Sequence, residues 1–321
     1  MSKENTKSKF NFSRFWEKYG TLMIFVILIF IISLLSPYFL TKNNITQVLV
    51  QSSIFMIIGM GQMFAILTSG IDLSVGSTMA LTGIVTAKLM VAGWGIFPAV
   101  IVGGLLFGAF LGFINGTLVS FTKLPPFIIT LGTLNIYRGI SLVLSEGRPI
   151  FNYPYEFNMK FAGYLGEIPI PIIIVIIAAV IIHIFAKYSK AGRSIYAFGG
   201  NNKAAWISGV RINKANILAF TISGLMAGLA GILMTARVGA AEPLAGNGYE
   251  LFAIASTAIG GTSFFGGVGS IPGTLIGALV VGVINNALNI LNVQTYYQQI
   301  VTGVVIVGTV YANKVILSKK D

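Results

Sequence analysis

Charged residues fall far apart along the chain, and between them hydrophobic side chains run almost without a break. Uncharged stretches extend from Tyr19 to Thr41, Asn43 to Ile71, Leu89 to Thr122, Ile168 to Ala186 and Ala215 to Ala236, and the longest reaches from Leu251 to Asn313. A charge at the centre of a bilayer costs about 2.5–3.5 kcal/mol on insertion scales, so gaps of this length mark segments able to lie in lipid. Ser36-Pro37 closes the first stretch. The run Gly266-Gly267-Val268-Gly269-Ser270-Ile271-Pro272-Gly273 interrupts the longest one, and the polar run Asn292 to Gln299 interrupts it again. The pattern predicts helical spans over 20–36, 45–69, 73–92, 96–120, 125–145, 168–186, 214–236, 251–263, 272–291 and 298–313. The eighth is short for about 30 Å of hydrocarbon, which predicts a broken, tilted or partly re-entrant segment there.

Composition sharpens this picture. The chain is 55% hydrophobic and 9% charged, against about a quarter charged in a soluble domain, which excludes an ordinary cytosolic enzyme. The expected fold class is therefore all-α, a polytopic transmembrane helix bundle of about ten spans with both termini cytoplasmic. Residues 1–18 are expected as a basic cytoplasmic tail, 19–316 as the membrane domain with a cytoplasmic loop over 187–214, and 317–321 as a second tail. The apolar run after residue 18 has no small-residue cleavage site, so it reads as a retained span and not a signal peptide.

The net charge of +12 raises nucleic acid as a partner, but the cations lack the aromatic interleaving and folded polar face that such binding needs, so no nucleic acid is expected. Orientation explains them better. With the N-terminus inside, the inner segments collect Lys3, Lys7, Lys9, Arg14, Lys18, Lys123, Lys187, Lys190, Arg193, Lys203, Arg211, Lys214, Lys314, Lys319 and Lys320, most of the 21 cations. The outer segments receive Glu146, Glu156, Glu167, Glu242 and Glu250. This is the positive-inside distribution for an even number of spans. Cys is absent and His183 is the single histidine, so disulfides and thiolate or histidine metal sites are excluded; no metal and no cofactor is expected.

Several polar groups stand out against the apolar background. Gly70-Ile71-Asp72-Leu73-Ser74-Val75-Gly76-Ser77-Thr78 sets an acid and hydroxyls at a junction between spans. Either Asp72 or Ser74 caps the following helix, or the segment is irregular backbone lining a pathway, which is where broken helices are tolerated at membrane depth. Val75-Gly76-Ser77 recurs as Val268-Gly269-Ser270, a hint of duplication. Asn135 and Arg138 sit three apart on one helical face, and Arg138 either serves the pathway or snorkels outward and pairs with Glu146. Asn115 and Asn285-Asn286 are either interhelical glue or lining. Asp72, Ser74, Ser77, Asn115, Asn135 and Arg138 are the candidates for the translocation path. Gly103-Gly104, Gly108, Gly112 and Gly116, and Gly224, Gly228 and Gly231, form small-residue faces suited to close helix packing.

The loop from Lys187 to Lys214 contains Gly199-Gly200-Asn201-Asn202-Lys203-Ala204-Ala205-Trp206-Ile207-Ser208-Gly209-Val210. Its glycines and asparagines supply a turn and a cap, and the Ala-Ala-Trp-Ile run forms one or two helical turns before Gly209 stops it. Such a helix rests on the lipid surface or packs against a cytoplasmic partner. No Lys follows a Gly, so the chain holds no Gly-Lys-Ser/Thr phosphate loop and is not itself a P-loop ATPase. Only Asp72 and Arg138 are plausible intramembrane charges, sparse for a proton relay. The energy source is then expected on another polypeptide.

Ile71-Asp72-Leu73-Ser74-Val75-Gly76-Ser77, Ala191-Gly192-Arg193-Ser194-Ile195-Tyr196-Ala197, Gly200-Asn201-Asn202 with Ala204-Ala205, and Ser208-Gly209-Val210 resemble the signatures of ribose-type permease subunits of ATP-binding cassette (ABC) sugar importers. Gly246-Asn247-Gly248-Tyr249-Glu250-Leu251, Ile259-Gly260-Gly261-Thr262-Ser263 and Gly273-Thr274-Leu275-Ile276-Gly277-Ala278 look similar to the same family, so the resemblance covers nearly the whole chain after its tail. It implies a bacterial cytoplasmic-membrane importer subunit, not an enzyme. Its partners would be the lipid bilayer, a cytoplasmic ABC ATPase, an extracellular or periplasmic sugar-binding protein, and a second permease copy, identical or closely homologous. It also implies that Gly200 to Val210 is the coupling element for the ATPase and that Glu146, Glu156, Glu242 and Glu250 lie on the face meeting the binding protein. Ribose is the expected sugar. Xylose, galactose, a signalling furanose or a nucleoside are alternatives within the family; an ion-coupled carrier or a passive channel are alternatives outside it.

Overall fold

The computed structural model describes residues 12–294 continuously, then Tyr297, Ile300, Val301, Gly303, Val304, Val307, Gly308 and Tyr311. Most of the expected span over 298–313, residues 1–11 and the expected tail 317–321 lie outside the described residues. The helices, in order, are α1 (Phe12–Leu35), α2 (Lys42–Leu67), α3 (Val75–Val91), α4 (Ile96–Ala99), a π-helical stretch (Val100–Leu106), α5 (Phe107–Thr122), α6 (Pro126–Ser145), α7 (Tyr155–Ala162), α8 (Ile170–Tyr188), α9 (Lys190–Gly200), α10 (Asn202–Ile207), α11 (Ile212–Val238), α12 (Tyr249–Ile259) and α13 (Ile271–Ile290). Between α7 and α8 lies a small antiparallel hairpin, β1 (Tyr164–Leu165) and β2 (Ile168–Pro169), a minor departure from an all-α fold.

Among the described residues, six helices are long and apolar enough to cross a membrane: α2, the continuous rod Ile96–Thr122, α6, α8, α11 and α13. Their limits fall within a few residues of the expected spans 45–69, 96–120, 125–145, 168–186, 214–236 and 272–291. The apolar part of α1, Gly20–Leu35, and helices α3 and α12 are shorter. At 1.5 Å per residue, α12 is only about 16 Å long, about half the hydrocarbon thickness. The anomaly in the eighth expected span is thus a half-length helix ending at Ile259, followed by loop to Ser270.

Two ends of the bundle follow from the contacts. Lys42 at the start of α2 pairs with Glu167 of the hairpin (3.0 Å), Ile150 bridges Ala241, and the Tyr153 hydroxyl donates to Thr235 O (3.2 Å). Burial pushes the Tyr153 phenol up to about 12, so it stays a donor. At the other end α9, the α2–α3 turn and the α12–α13 turn meet. Exposed apolar residues such as Val26, Phe30 and Leu34 on α1, Phe110 and Phe113 on α5, and Ile177 and Ile181 on α8 form the outer belt expected of a surface facing lipid.

Inside, α2 and α11 pack at the centre, with Phe55, Phe64 and Phe220 fully buried. The α5–α11 contact is a glycine seam. A Cβ on Gly112 would strike Phe220 O, one on Gly224 would strike Gly108 O, and one on Gly228 would strike Gly104 O. Lipid tails are as apolar as Leu, so helix association there depends on such close backbone approach. Gly231 serves a different contact, against Met79 O and Thr82.

The seam predicts an asymmetry between glycines. Gly112→Ala forces the helices apart and should cost about 1–3 kcal/mol, whereas Gly139→Ala, which meets open space, should be neutral or gain up to about 1 kcal/mol of helix propensity. Thermal unfolding of the two purified variants in detergent checks this.

Candidate functional site

Between α2 and α3 the chain turns over residues 68–74, exposed at Ser69 and returning inside the protein, where Asp72 is 1% exposed and Ser74 is fully buried. Its polar groups are met by side chains from the surrounding helices. Asp72 Oδ1 accepts from the Ser74 amide (3.0 Å) and the Ser74 hydroxyl (2.7 Å), and Oδ2 accepts from Ser223 Oγ on α11 (2.8 Å). Gln62 of α2, with its amide oriented to suit both partners, donates to Asp72 O (3.0 Å) and accepts from Asp72 N (3.2 Å). Thr130 of α6 donates to Ile71 O (2.9 Å), and Ser77 donates to Ser74 O (2.9 Å). Asn115 of α5 donates to Ser74 Oγ (2.8 Å) and lies 3.2 Å from the Tyr137 hydroxyl of α6.

Four of the six path candidates, Asp72, Ser74, Ser77 and Asn115, therefore form one buried network. Ser74 does not cap α3 through its side chain, as one reading of the sequence had it. Its backbone is already right-handed helical, and its hydroxyl is engaged by Asp72 and Asn115. Gln62, Thr130, Tyr137 and Ser223 complete the network and were not singled out from sequence. Their only signal was an uncharged polar residue inside an apolar run, which looks the same whether the group packs or bonds.

A second cluster adjoins the first. Arg138 donates through Nη1 to Pro243 O (2.7 Å) and Ala245 O (2.8 Å), so it holds the loop before α12 and not Glu146. That loop reaches the first turn of α3: a Cβ on Gly76 would strike Gly246 O and come 2.8 Å from Glu250 Oε2. Helices α3 and α12 thus meet N-terminus to N-terminus, with Glu250 in the first turn of α12 near enough to Arg138 to feel its charge. Asn135 is apart from both clusters, exposed, and donates to Leu131 O of its own helix (3.0 Å). Asn285 and Asn286 act as interhelical glue: Asn286 exchanges hydrogen bonds with Asn44, and Asn285 accepts from Gln51 (2.6 Å).

At the opposite end, Ser189 caps α9 by accepting from Gly192 N (2.8 Å), and Asn201 caps α10 by accepting from Ala204 N (2.9 Å). Gly209 ends the element at φ +83°. Ala205 is buried, while Trp206 and Ile207 are 69% and 71% exposed. This element is tied to both broken segments. Gly199 leaves no room for a Cβ against Leu67 O and Gly267 N, Gly267 N donates to Leu67 O (3.0 Å), Ser69 donates to Phe265 O (2.8 Å), and Tyr196 donates to Gly269 O (2.9 Å). Burial raises the Tyr196 phenol above its ordinary value, which keeps the proton in that bond.

Of the acids expected to meet a binding protein, Glu146, Glu156 and Glu242 are exposed at the hairpin end. Glu250 sits apart from them, half-buried against Gly76. The Val-Gly-Ser recurrence does not mark equivalent places: Val75-Gly76-Ser77 forms the first turn of α3, whereas Val268-Gly269-Ser270 precedes α13, which Ser270 caps by accepting from Gly273 N (3.2 Å).

The model of the family described as branched-chain amino acid transport system / permease component matches residues 44–310. The chain is 52% identical over 316 residues to the D-allose transport system permease protein AlsC of Escherichia coli, covering 98% of this chain and 97% of that one. It is 42% identical over 321 residues to the ribose import permease protein RbsC of Haemophilus influenzae, covering 99% of each. Against the L-arabinose transport system permease protein AraH of Escherichia coli it is 32% identical over 305 residues, 95% of this chain and 92% of that one. No solved structure matches it.

The network at Asp72 predicts graded damage. Ser223→Ala removes one donor and should cost about 1–2 kcal/mol, and Asp72→Ala leaves Ser223, Ser74 and a backbone amide without their acceptor and should cost about 3 kcal/mol or more. Unfolding midpoints of the detergent-solubilised variants, with the double variant close to Asp72→Ala alone, check the coupling.

Proposed function

The chain belongs to the branched-chain amino acid transport system / permease component family, and on that premise we propose that it is the membrane subunit through which an ABC importer passes a monosaccharide. It is a multi-pass cell-membrane protein and a transport subunit, not an enzyme. Its work would be supplied by a cytoplasmic ATPase, and its cargo by a sugar-binding protein outside. In this reading the bundle has about ten spans with both termini cytoplasmic, and two copies, identical or closely homologous, enclose one path.

The observation that carries the mechanism is the capped element α9–α10. It offers Trp206 and Ile207 outward, while α9 hydrogen-bonds the α12–α13 turn through Tyr196 and packs through Gly199 against Leu67 at the end of α2. The residues from Gly200 to Val210 would dock on the ATPase. A shift there would then move α3 and α12, whose N-termini meet beside Arg138 and Glu250. Asn135, Arg138 and Glu250 would line the path. Asp72, Ser74, Ser77 and Asn115 would hold its wall rigid. Glu146, Glu156 and Glu242 would face the binding protein.

For the cargo, the relatives' names point to a stereochemical class. D-allose and D-ribose carry their secondary hydroxyls on one side of the chain, and L-arabinose does not. The proposed substrate is an aldose of the allose–ribose type, so ribose stands beside allose and not alone.

In proteoliposomes containing permease, ATPase and binding protein, Trp206→Asp should cut ATP-driven sugar uptake roughly tenfold or more, the loss typical of removing an interface anchor, while leaving insertion and folding intact. Wild-type uptake with Trp206→Asp would remove the coupling assignment. In the same vesicles, D-allose and D-ribose should compete with each other for uptake and L-arabinose should not; preferential uptake of L-arabinose would overturn the substrate class.

A further inference from the structure

A hollow of about 390 Å³ opens between the end of α8, helix α9 and the start of α13. Its walls include His183, Lys187 and Arg193, with Tyr196, Gly269 and Ser270 behind them, and no carboxylate is among the lining residues. Arg193 uses one N–H on Tyr188 O (2.8 Å), so most of its five donors remain available. Ser270 accepts from Gly273 N and keeps its own proton to offer. The twenty-residue helix α13 starts at this wall and turns the positive end of its dipole toward it. Three basic side chains and a helix N-terminus around one cavity select an anion.

The surface leading into the hollow selects its kind. Ile176, Val180, His183 and Lys187 lie at spacings of four, three and four, one stripe of α8. The first two are 58% and 53% exposed. An apolar strip that runs along a membrane-crossing helix and ends in His183 and the Lys187 ammonium matches a phospholipid, with its acyl chain on the isoleucine and valine and its phosphate at the basic end. A free inorganic anion would make no use of the strip.

We propose that this hollow binds the headgroup of an anionic phospholipid, whose acyl chains lie along the exposed face of α8. Two of its walls belong to the node that carries α10: α9 itself, and the loop that receives the Tyr196 hydrogen bond. If the transport reading above holds, an occupied hollow stiffens the coupling element; the binding itself does not depend on that reading.

The test uses the full chain in detergent micelles doped with phosphatidylglycerol, with phosphatidylcholine of the same acyl chains, or with inorganic phosphate alone. Phosphatidylglycerol should raise the unfolding midpoint by about 3–5 °C, and the other two should not. Lys187→Gln with Arg193→Gln should abolish the shift, and Lys187→Gln alone, at an exposed side chain, should reduce it if the double variant proves unstable. Lys123→Gln, an exposed cation at the same end of the bundle outside the hollow, should leave it unchanged. Equal shifts from both lipids, an equal shift from phosphate, an undiminished shift in Lys187→Gln, or the same loss in Lys123→Gln would each overturn the proposal.

Discussion

Non-helical backbone cannot sit inside a bilayer unless the protein itself satisfies its polar groups, because no water is there to do so. The same demand holds wherever such backbone is buried in protein, as at Asp72 and Ser74 in the 68–74 turn. Four of its backbone groups are met by side chains: Asp72 N and O by Gln62, Ile71 O by Thr130, and the Ser74 amide by the Asp72 carboxyl. The partners come from α2, α5, α6 and α11, so the break in one helix pair commits the positions of the helices around it. A buried network of this kind is stable only when it is complete, and Asp72 is its hub because its two oxygens accept three of the bonds.

The glycine seam and the network depend on each other. Asn115 and Ser223 reach the junction from α5 and α11, and these two helices approach closely only because Gly108, Gly112, Gly224 and Gly228 put backbone against backbone. At the far side of the junction, α3 begins where the loop before α12 folds in, again at a glycine contact, Gly76 against Gly246. Arg138 fixes that loop through two carbonyls. Those carbonyl dipoles, with Glu250 nearby, meet the charge of Arg138, and Glu146 stays exposed. Helix α12 is thus held at its N-terminal end by the loop on Arg138 and followed at its C-terminal end by the turn that touches α9, while α3 follows directly on the network at its N-terminal end.

Much of this was legible residue by residue, and the losses have physical causes. Helix limits could be read because charges and prolines are costly in lipid. The α10 helix could be read because Asn201, the Ala-Ala-Trp-Ile run and Gly209 each specify a local conformation. Asp72, Ser74, Ser77 and Asn115 stood out as polar residues in apolar surroundings, but whether they faced a path or one another could not be read, since both settings favour the same side chains. Helix α9 was hidden because the glycines at its end look like a loop; they are there because Leu67 and Gly267 press against them. Glu250 was grouped with the exposed acids because it too lies between apolar stretches, although the loop before it folds inward.

The sequence by itself determined that this is a helical membrane protein, where most of its helices begin and end, and which family it resembles, because insertion in lipid is governed by local hydrophobicity and by residues acting one at a time. The tertiary structure decided which polar groups bond to each other, that α3 and α12 meet head to head, and that α9–α10 is joined to both broken turns. Those are properties of pairs far apart in the chain, and hydropathy, which sums over neighbours, carries no information about them.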